Sequence, residues 1–357
     1  MSKTSMSQNN RIEKLTSQFS SLGIDAFLVT KDVNITYLTQ FLASESWLLV
    51  TPKTCHYITD FRYILEAQKG LKGIEINQYM LSMQQTVFGL MADLGLKRLG
   101  FDERHLSLSA FKQIQKDCPK AFGLVGLCDV VESIREIKEK TEVDNIRNCL
   151  KLHHQAIKYL RRVIKPGLTE QEGLERLEAF VKKHGAGFSF PSIIASGPNS
   201  CFPHARVSRR KIRNNEPVLI DTGIDINGYK SDLTRMVLLG KIPAQVCEVA
   251  EIVKDAQCKA IATIKAGVPV AVSDQEVRNH FKKFDLEQHF GHSLGHGVGL
   301  EIHESPRLST KSPAVFKAGM VVTVEPALYI PNKFGVRIED MVLVTNQGCE
   351  VLSDQTA

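Results

Sequence analysis

Two carboxylates, Asp221 and Asp232, stand in the stretch EPVLIDTGIDINGYKSDLTR where an ordinary hydrophobic strand pair would carry none. Val218, Leu219 and Ile220 form an apolar run, Asn227-Gly228 is a tight-turn pair, and an apolar run resumes from Met236 to Leu239. The spacing predicts both aspartates on paired strands of one hairpin. A buried carboxylate is costly unless it is paired or binds a cation, so two held close together must share a proton or share cations.

A second stretch, VVTVEPALYIPNKFGVRIEDMVLVT, repeats the arrangement, with Glu325 and Glu339 in its two apolar runs. Four carboxylates in one core are better neutralised by two divalent cations than by protons that would disable them. His296, in GHSLGHGVGLEIHESP, adds one imidazole. Such a set suits Mn²⁺, Co²⁺, Fe²⁺ or Zn²⁺ in a pair about 3.5–4 Å apart, with a water between them whose pKa is lowered toward neutrality.

The elements that must position these residues fall into two textures. From residue 8 the chain alternates helical and strand patterns: a helix with Ile12, Leu15, Phe19 and Leu22 on one face, a strand from Ala26, further alternation, and a last strand to Cys128. This predicts a three-layer α/β domain over residues 8–131, with Trp47 in its core and with His56 and His105 lacking partners at ligand spacing. Residues 132–357 read as an α+β domain. A long amphipathic helix runs from about Ile134 to a stop at Pro166-Gly167, with His153 and His154 on its surface and flank. Thr169 with Glu172, and Ser273 with Glu276, read as capping boxes for two further helices. A helix over Ala244 to Ile264 lies between them, and the two strand-rich stretches read as a duplicated helix-plus-hairpin unit.

At 357 residues the chain is long enough for two cores. The net charge of +6 is spread over 45 basic and 39 acidic residues, which gives no basic face for nucleic acid. The run Arg209, Arg210, Lys211, Arg213 lacks interleaved aromatics and reads as a solvated loop. Eight dispersed cysteines read as reduced thiols. With a polar opening and no long apolar run, the expectation is a cytoplasmic protein with no membrane partner. GHSLG fits a nucleophile elbow around Ser293, but the glycines that follow do not suit the helix an elbow requires.

The ordered set Asp221, Asp232, His296, Glu325, Glu339, with the stretches NSCFPHA, DTG, SDLTR, GHGVGLEIHE, VEPALYI and RIED, resembles the pita-bread metallopeptidases: methionine aminopeptidase, aminopeptidase P and prolidase. The α/β domain is similar to the one that aminopeptidase P and prolidase carry. The resemblance implies a pita-bread (creatinase/aminopeptidase-like) catalytic domain, two divalent metal ions with Mn first, and those five residues as ligands. It further implies Glu325 as general base or proton shuttle, His204 and His303 at the scissile region, His292 near a proline pocket, and Arg337 as an arginine of the proline-specific branch. Arg337 stands two residues before Glu339, on what reads as the same strand face, where it can pair with the site's acids. The activity it implies first is that of an Xaa-Pro aminopeptidase acting on peptides with proline second. An Xaa-Pro dipeptidase is the near alternative, a catalytically inactive binding module the remote one, and a homodimer the implied assembly. Ala327 departs from the pattern, standing where glycine is common.

Overall fold

The computed structural model describes residues 3–353. The chain forms two compact units that meet in sequence between Arg135 and Glu136. The first is built on strands β1 (Ala26–Val29), β2 (Trp47–Val50), β3 (Cys55–Thr59), β4 (Glu75–Gln78), β5 (Arg98–Asp102) and β6 (Gly123–Leu127). They form one sheet in the order β4-β3-β2-β1-β5-β6. β1 is buried along its whole length, as an apolar strand must be when both faces of its sheet are covered. Leu28, Leu49, Ile58 and Phe101 share a core with Val87, Phe88 and Met91 of helix Met83–Asp93, and Trp47 packs against its margin.

The first helical stretch is broken in two, Lys3–Thr16 and Phe19–Leu22, and ends at Gly23, whose φ of 64° suits glycine. His105 does have partners: its Nε2 lies 3.1 Å from Glu132 Oε1 and 3.6 Å from Asp102 Oδ2. Asp102 ends β5 and Glu132 lies in the short helix Val130–Arg135, a separation along the chain that no local pattern reveals.

The second unit contains helices Lys140–Val163, Glu170–Lys183, Ala244–Thr263 and Ala271–Lys282. Its strands begin with β7 (Gly187–Phe188), β8 (Ile193–Ser196), β9 (Pro217–Thr222), β10 (Ile224–Ile226), β11 (Tyr229–Lys230) and β12 (Leu233–Leu238). β13 (Gly295–Gly297), β14 (Glu304–Leu308), β15 (Val321–Val324), β16 (Ala327–Ile330), β17 (Phe334–Arg337), β18 (Asp340–Val344) and β19 (Cys349–Val351) follow.

Three local expectations are corrected. The long helix starts at Lys140, where Glu139 and Glu142 form a capping box, because Ile134 belongs to the preceding short helix. His153 is fully buried, against Ser231 Oγ at 3.0 Å, rather than on the helix surface. Ser273 lies inside helix Ala271–Lys282 and meets Thr263 Oγ1 at 2.7 Å, so it caps nothing. The Thr169/Glu172 capping box is present.

Each predicted hairpin is a pair of ladders with a break between them. β9 and β12 pair as far as Thr222 opposite Leu233, after which the chain continues into the separate β10–β11 pair, closed by Asn227-Gly228 at φ 54° and 84°. β15 and β18 pair as far as Val324 opposite Asp340, and β16–β17 continue beyond. The four carboxylates cluster at these breaks. Strand alternation sends Val218 and Ile220 into a core with Leu152, Leu160 and Leu177, and so turns Leu219 and Asp221 to the other face. Val322 and Val324 likewise enter a core with Val249, Val253 and Phe281, leaving Thr323 on the opposite face. Burial of each such side chain stabilises the unit by about 1.5–3 kcal/mol, so register and carboxylate direction are fixed together.

Candidate metal centre

Asp232, His296 and Glu339 each present a ligand atom within 4.8 Å of the others. His296 Nε2 lies 3.6 Å from Asp232 Oδ2 and 3.5 Å from Glu325 Oε1. Asp221 joins through Arg337, whose Nη2 donates to its Oδ2 at 2.5 Å. Arg337 Nε donates to Thr234 Oγ1 at 2.9 Å, and that hydroxyl donates to Glu339 Oε2 at 2.8 Å. His296 is held between two glycines that its neighbours require. A Cβ on Gly295 would lie 2.1 Å from Thr323 O, and one on Gly297 2.2 Å from Ser305 O. The glycine-rich sequence therefore lets β13 run close enough to β15 to deliver the imidazole.

The electrostatics of the cluster point outward for balance. Burial, then the charges of Glu339, Asp221 and Glu325, push the Asp232 carboxyl well above the usual range. Burial, then Glu325 and Asp221, do the same to Glu339. Glu325 is pushed up to about 8, chiefly by burial. His296 is pushed down to about 4, again chiefly by burial, and is neutral. Its Nδ1 lies 3.0 Å from the Gly297 carbonyl, which can only accept, so the ring proton sits there and Nε2 carries a lone pair. That lone pair faces carboxyl oxygens at 3.6 and 3.5 Å, a contact that needs either a proton or a cation between the two. Glu339 Oε1 is buried without a hydrogen-bond partner. Hard oxygens with one neutral imidazole, fixed from behind by a carbonyl, fit a divalent first-row cation.

Of the other expected residues, His303 stands edge-on to His296 with ring centroids 4.4 Å apart. His292 does not touch the carboxylates. Its Nε2 meets Tyr329 OH at 3.3 Å, and Arg337 Nη1 donates to that hydroxyl at 2.6 Å. Burial lowers His292 to about 4. His204 stands exposed on the loop after the turn Gly197–Cys201, at the wall of a cavity of about 520 Å³, and within electrostatic reach of His292 and His303. Arg337 and Glu339 do not share a strand as expected: Arg337 ends β17, opposite the fully buried Ala327, whereas Glu339 precedes β18.

Residues that the motifs did not flag complete the site. Thr234 and Thr323 hydrogen-bond Glu339 and Glu325, and each stands two residues from an expected ligand on a strand, a spacing that could have signalled them. Arg307 lies opposite His296 in the β13–β14 ladder; its Nε donates to Ser293 Oγ at 3.2 Å, and its charge acts on His303 and His296. Ser293 follows a short 3₁₀ turn and precedes β13, which is no nucleophile elbow. Arg210 of the basic run is bound in two places by Glu216, at 2.6 and 2.7 Å.

A broken double hairpin with inward carboxylates and one imidazole defines a pita-bread metal-dependent hydrolase. Sequence comparison agrees: Metallopeptidase family M24 matches residues 144–346, and the Creatinase/Prolidase N-terminal domain matches residues 11–137. The chain belongs to metallopeptidase family M24. It is 33% identical to an Xaa-Pro dipeptidase of Pyrococcus horikoshii over 97% of both chains. Its fold matches the structure of an Xaa-Pro dipeptidase from Bacillus anthracis at TM-score 0.94 and 35% identity, covering 98% of each chain. It also matches an X-Pro aminopeptidase from Thermotoga maritima at TM-score 0.88 and 32% identity, covering 95% of this chain and 97% of that one. Among the described residues no helix is long and apolar enough to cross a membrane.

Proposed function

We propose that this metallopeptidase is an Xaa-Pro dipeptidase, with two divalent cations, Mn²⁺ first among them, held by Asp221, Asp232, His296, Glu325 and Glu339. The observation that carries the metal assignment is the set of mutually repelling buried carboxylates around a neutral imidazole lone pair. Bound there, the cations supply Lewis acidity and activate water near neutral pH.

The chain's own groups do the rest. Arg337 fixes Asp221, and Thr234 and Thr323 aim Glu339 and Glu325. Glu325, ionised beside the bound cations and oriented by Thr323, takes a proton from the attacking water on a carboxylate oxygen and passes it to the proline nitrogen as the imide bond breaks. His303 and His204 donate N–H groups to the carbonyl oxygen as it gains negative charge. His292, braced by Tyr329 and edge-on to Phe290 at 4.9 Å, forms the wall that meets the proline ring.

The motifs placed an aminopeptidase first; the relatives favour a dipeptidase, and Arg307 supports that order. Its exposed guanidinium stands beside His296 and His303, where it can bind the carboxylate that in a dipeptide ends the proline just past the scissile bond. A longer peptide has no carboxylate at that point. The aminopeptidase remains the second reading on the likeness to the Thermotoga maritima enzyme.

Chelator-stripped protein restored with Mn²⁺, Co²⁺ or Zn²⁺ in turn decides between them. We expect cleavage of Xaa-Pro dipeptides and none of Xaa-Pro-Xaa tripeptides. Tripeptide cleavage before proline makes it an aminopeptidase, and no cleavage of either peptide with any metal removes the catalytic reading.

A further inference from the structure

The loop that carries His204 is drawn together by a single side chain outside the metal centre. Glu170, at the N-terminal end of helix Glu170–Lys183, is fully buried. Its Oε1 accepts from Ser196 N at 2.7 Å, Ser196 Oγ at 2.8 Å and Asn199 Nδ2 at 3.0 Å. Its Oε2 accepts from Asn199 Nδ2 at 3.1 Å, Ser208 N at 3.2 Å and Ser208 Oγ at 2.6 Å. Ser196 opens the excursion and Ser208 ends it, so one carboxylate gathers both ends and a point between. A carboxylate offers about four lone-pair sites, and these contacts fill them. The excursion between Ser196 and Ser208 bears Phe202 and His204 and forms the wall of the cavity described above.

The same excursion is tied to the centre at its middle. Arg337, which holds Asp221, also donates from Nη1 to Pro203 O at 3.2 Å, next to His204 in sequence. Ser200 Oγ accepts from Gly335 N at 2.9 Å. Glu170 thus sets the ends of the loop while Arg337 and β17 set its middle. We propose that Glu170 is a positioning residue for the reaction, acting through His204: by gathering Ser196, Asn199 and Ser208 it holds the imidazole where the scissile carbonyl must sit. This rests on the role given to His204 above. The side chain that caps this helix in the ordinary sense is Thr169, with Glu172; Glu170 faces the loop instead.

The physical reason for a carboxylate is its all-acceptor character. Glutamine at this position keeps the volume but replaces one acceptor oxygen with an N–H₂ group that faces donors. The loop then shifts by a fraction of an ångström to about one ångström, and a displacement of that size costs on the order of ten- to a hundredfold in rate.

The test is a double-mutant cycle on full-length, metal-loaded protein, reading kcat and KM for an Xaa-Pro dipeptide together with bound-metal content. Glu170→Gln is expected to lower kcat/KM by roughly ten- to a hundredfold with metal content unchanged, and to cost little further in a His204→Ala background. Ser208→Ala, a milder change that leaves the carboxylate in place, is expected to show a smaller loss that is likewise absent without His204. Equal losses in both backgrounds, or no loss from either variant, overturn the inference while leaving the proposed function intact. A His204→Ala protein as active as the unaltered chain removes the role of His204 and this inference with it, and a chain inactive on Xaa-Pro peptides with every metal removes the function itself.

Discussion

Among the described residues each unit of the protein contains one Asp–His–Glu cluster whose ligand-type atoms lie within 4.8 Å of one another: Asp102, His105 and Glu132 in the first, Asp232, His296 and Glu339 in the second. The side-chain types are the same, burial raises the aspartate in both, and the glutamates are driven in opposite directions. Burial alone would raise Glu132, but an Asn34 hydrogen bond at 2.8 Å and the charges of Lys31 and Arg135 hold its carboxyl below the usual range. In the second cluster Arg337 is committed to Asp221, and Asp232 and Glu339 are driven up by burial and by other carboxylates. Donor identity therefore does not make a metal site. What separates the two is how far the chain's own cations offset the carboxylates: Lys31 and Arg135 help bring Glu132 below its usual range, whereas Arg337 opposes but does not reverse the rise of Asp232 and Glu339.

The largest expected effect comes from breaking the second cluster. Glu339→Gln and Asp232→Asn should each abolish peptide hydrolysis and metal uptake while circular dichroism shows the fold retained. Adding Mn²⁺ to stripped protein should raise the Tm of the unaltered chain, because an ion that binds only the folded state stabilises it, and should leave the Tm of both variants where it was. Full activity in either variant would falsify the two-metal assignment.

How much of this was readable beforehand follows the range of the interactions. The turn at Asn227-Gly228 and the Thr169/Glu172 capping box are local chemistry, and both were legible. The clustering of Asp232, His296 and Glu339 was legible because strand alternation and motif spacing constrain them within three short stretches of sequence. Arg337 was singled out correctly as a partner of the acids, but its strand was misassigned because nothing in RIED marks the break between β17 and β18. Glu132 with His105, Ser231 with His153, and Glu170 with Ser196 and Ser208 were invisible, since each pair closes across a tertiary distance that leaves no periodic trace. Glu170 in particular read as an ordinary acidic residue at a helix start, where the macrodipole favours one anyway.

A middle-sized effect sharpens the comparison by removing the cation the second cluster does possess. Arg337→Met takes the donor from Asp221, Thr234, Tyr329 and the Pro203 carbonyl at once. Groups that orient ligands from behind typically contribute 10–100-fold, so kcat/KM should fall by about that factor, with metal still bound but more weakly. Retained kcat/KM would mean that Asp221 needs no partner from the chain once metal is present, and the balance of charge described above would be wrong.

The smallest effect is expected in the first cluster, and it is the one that tests the comparison itself. His105 is 27% exposed at its side chain and meets carboxylates at 3.1 and 3.6 Å, a partly solvated polar contact. Such contacts contribute roughly 1 kcal/mol or less. His105→Ala should therefore leave metal stoichiometry and kcat/KM unchanged and lower Tm by no more than a few degrees. Asp102 argues for the other side: its Oδ2 is buried without a hydrogen-bond partner, as is Glu132 Oε2, and burial raises its carboxyl. If those two oxygens and the imidazole hold an ion, His105→Ala will bind one metal fewer per chain with peptide hydrolysis intact. The rule that the chain's own cations decide between the two clusters would then fail, because Lys31 and Arg135 would be shown insufficient to replace a metal.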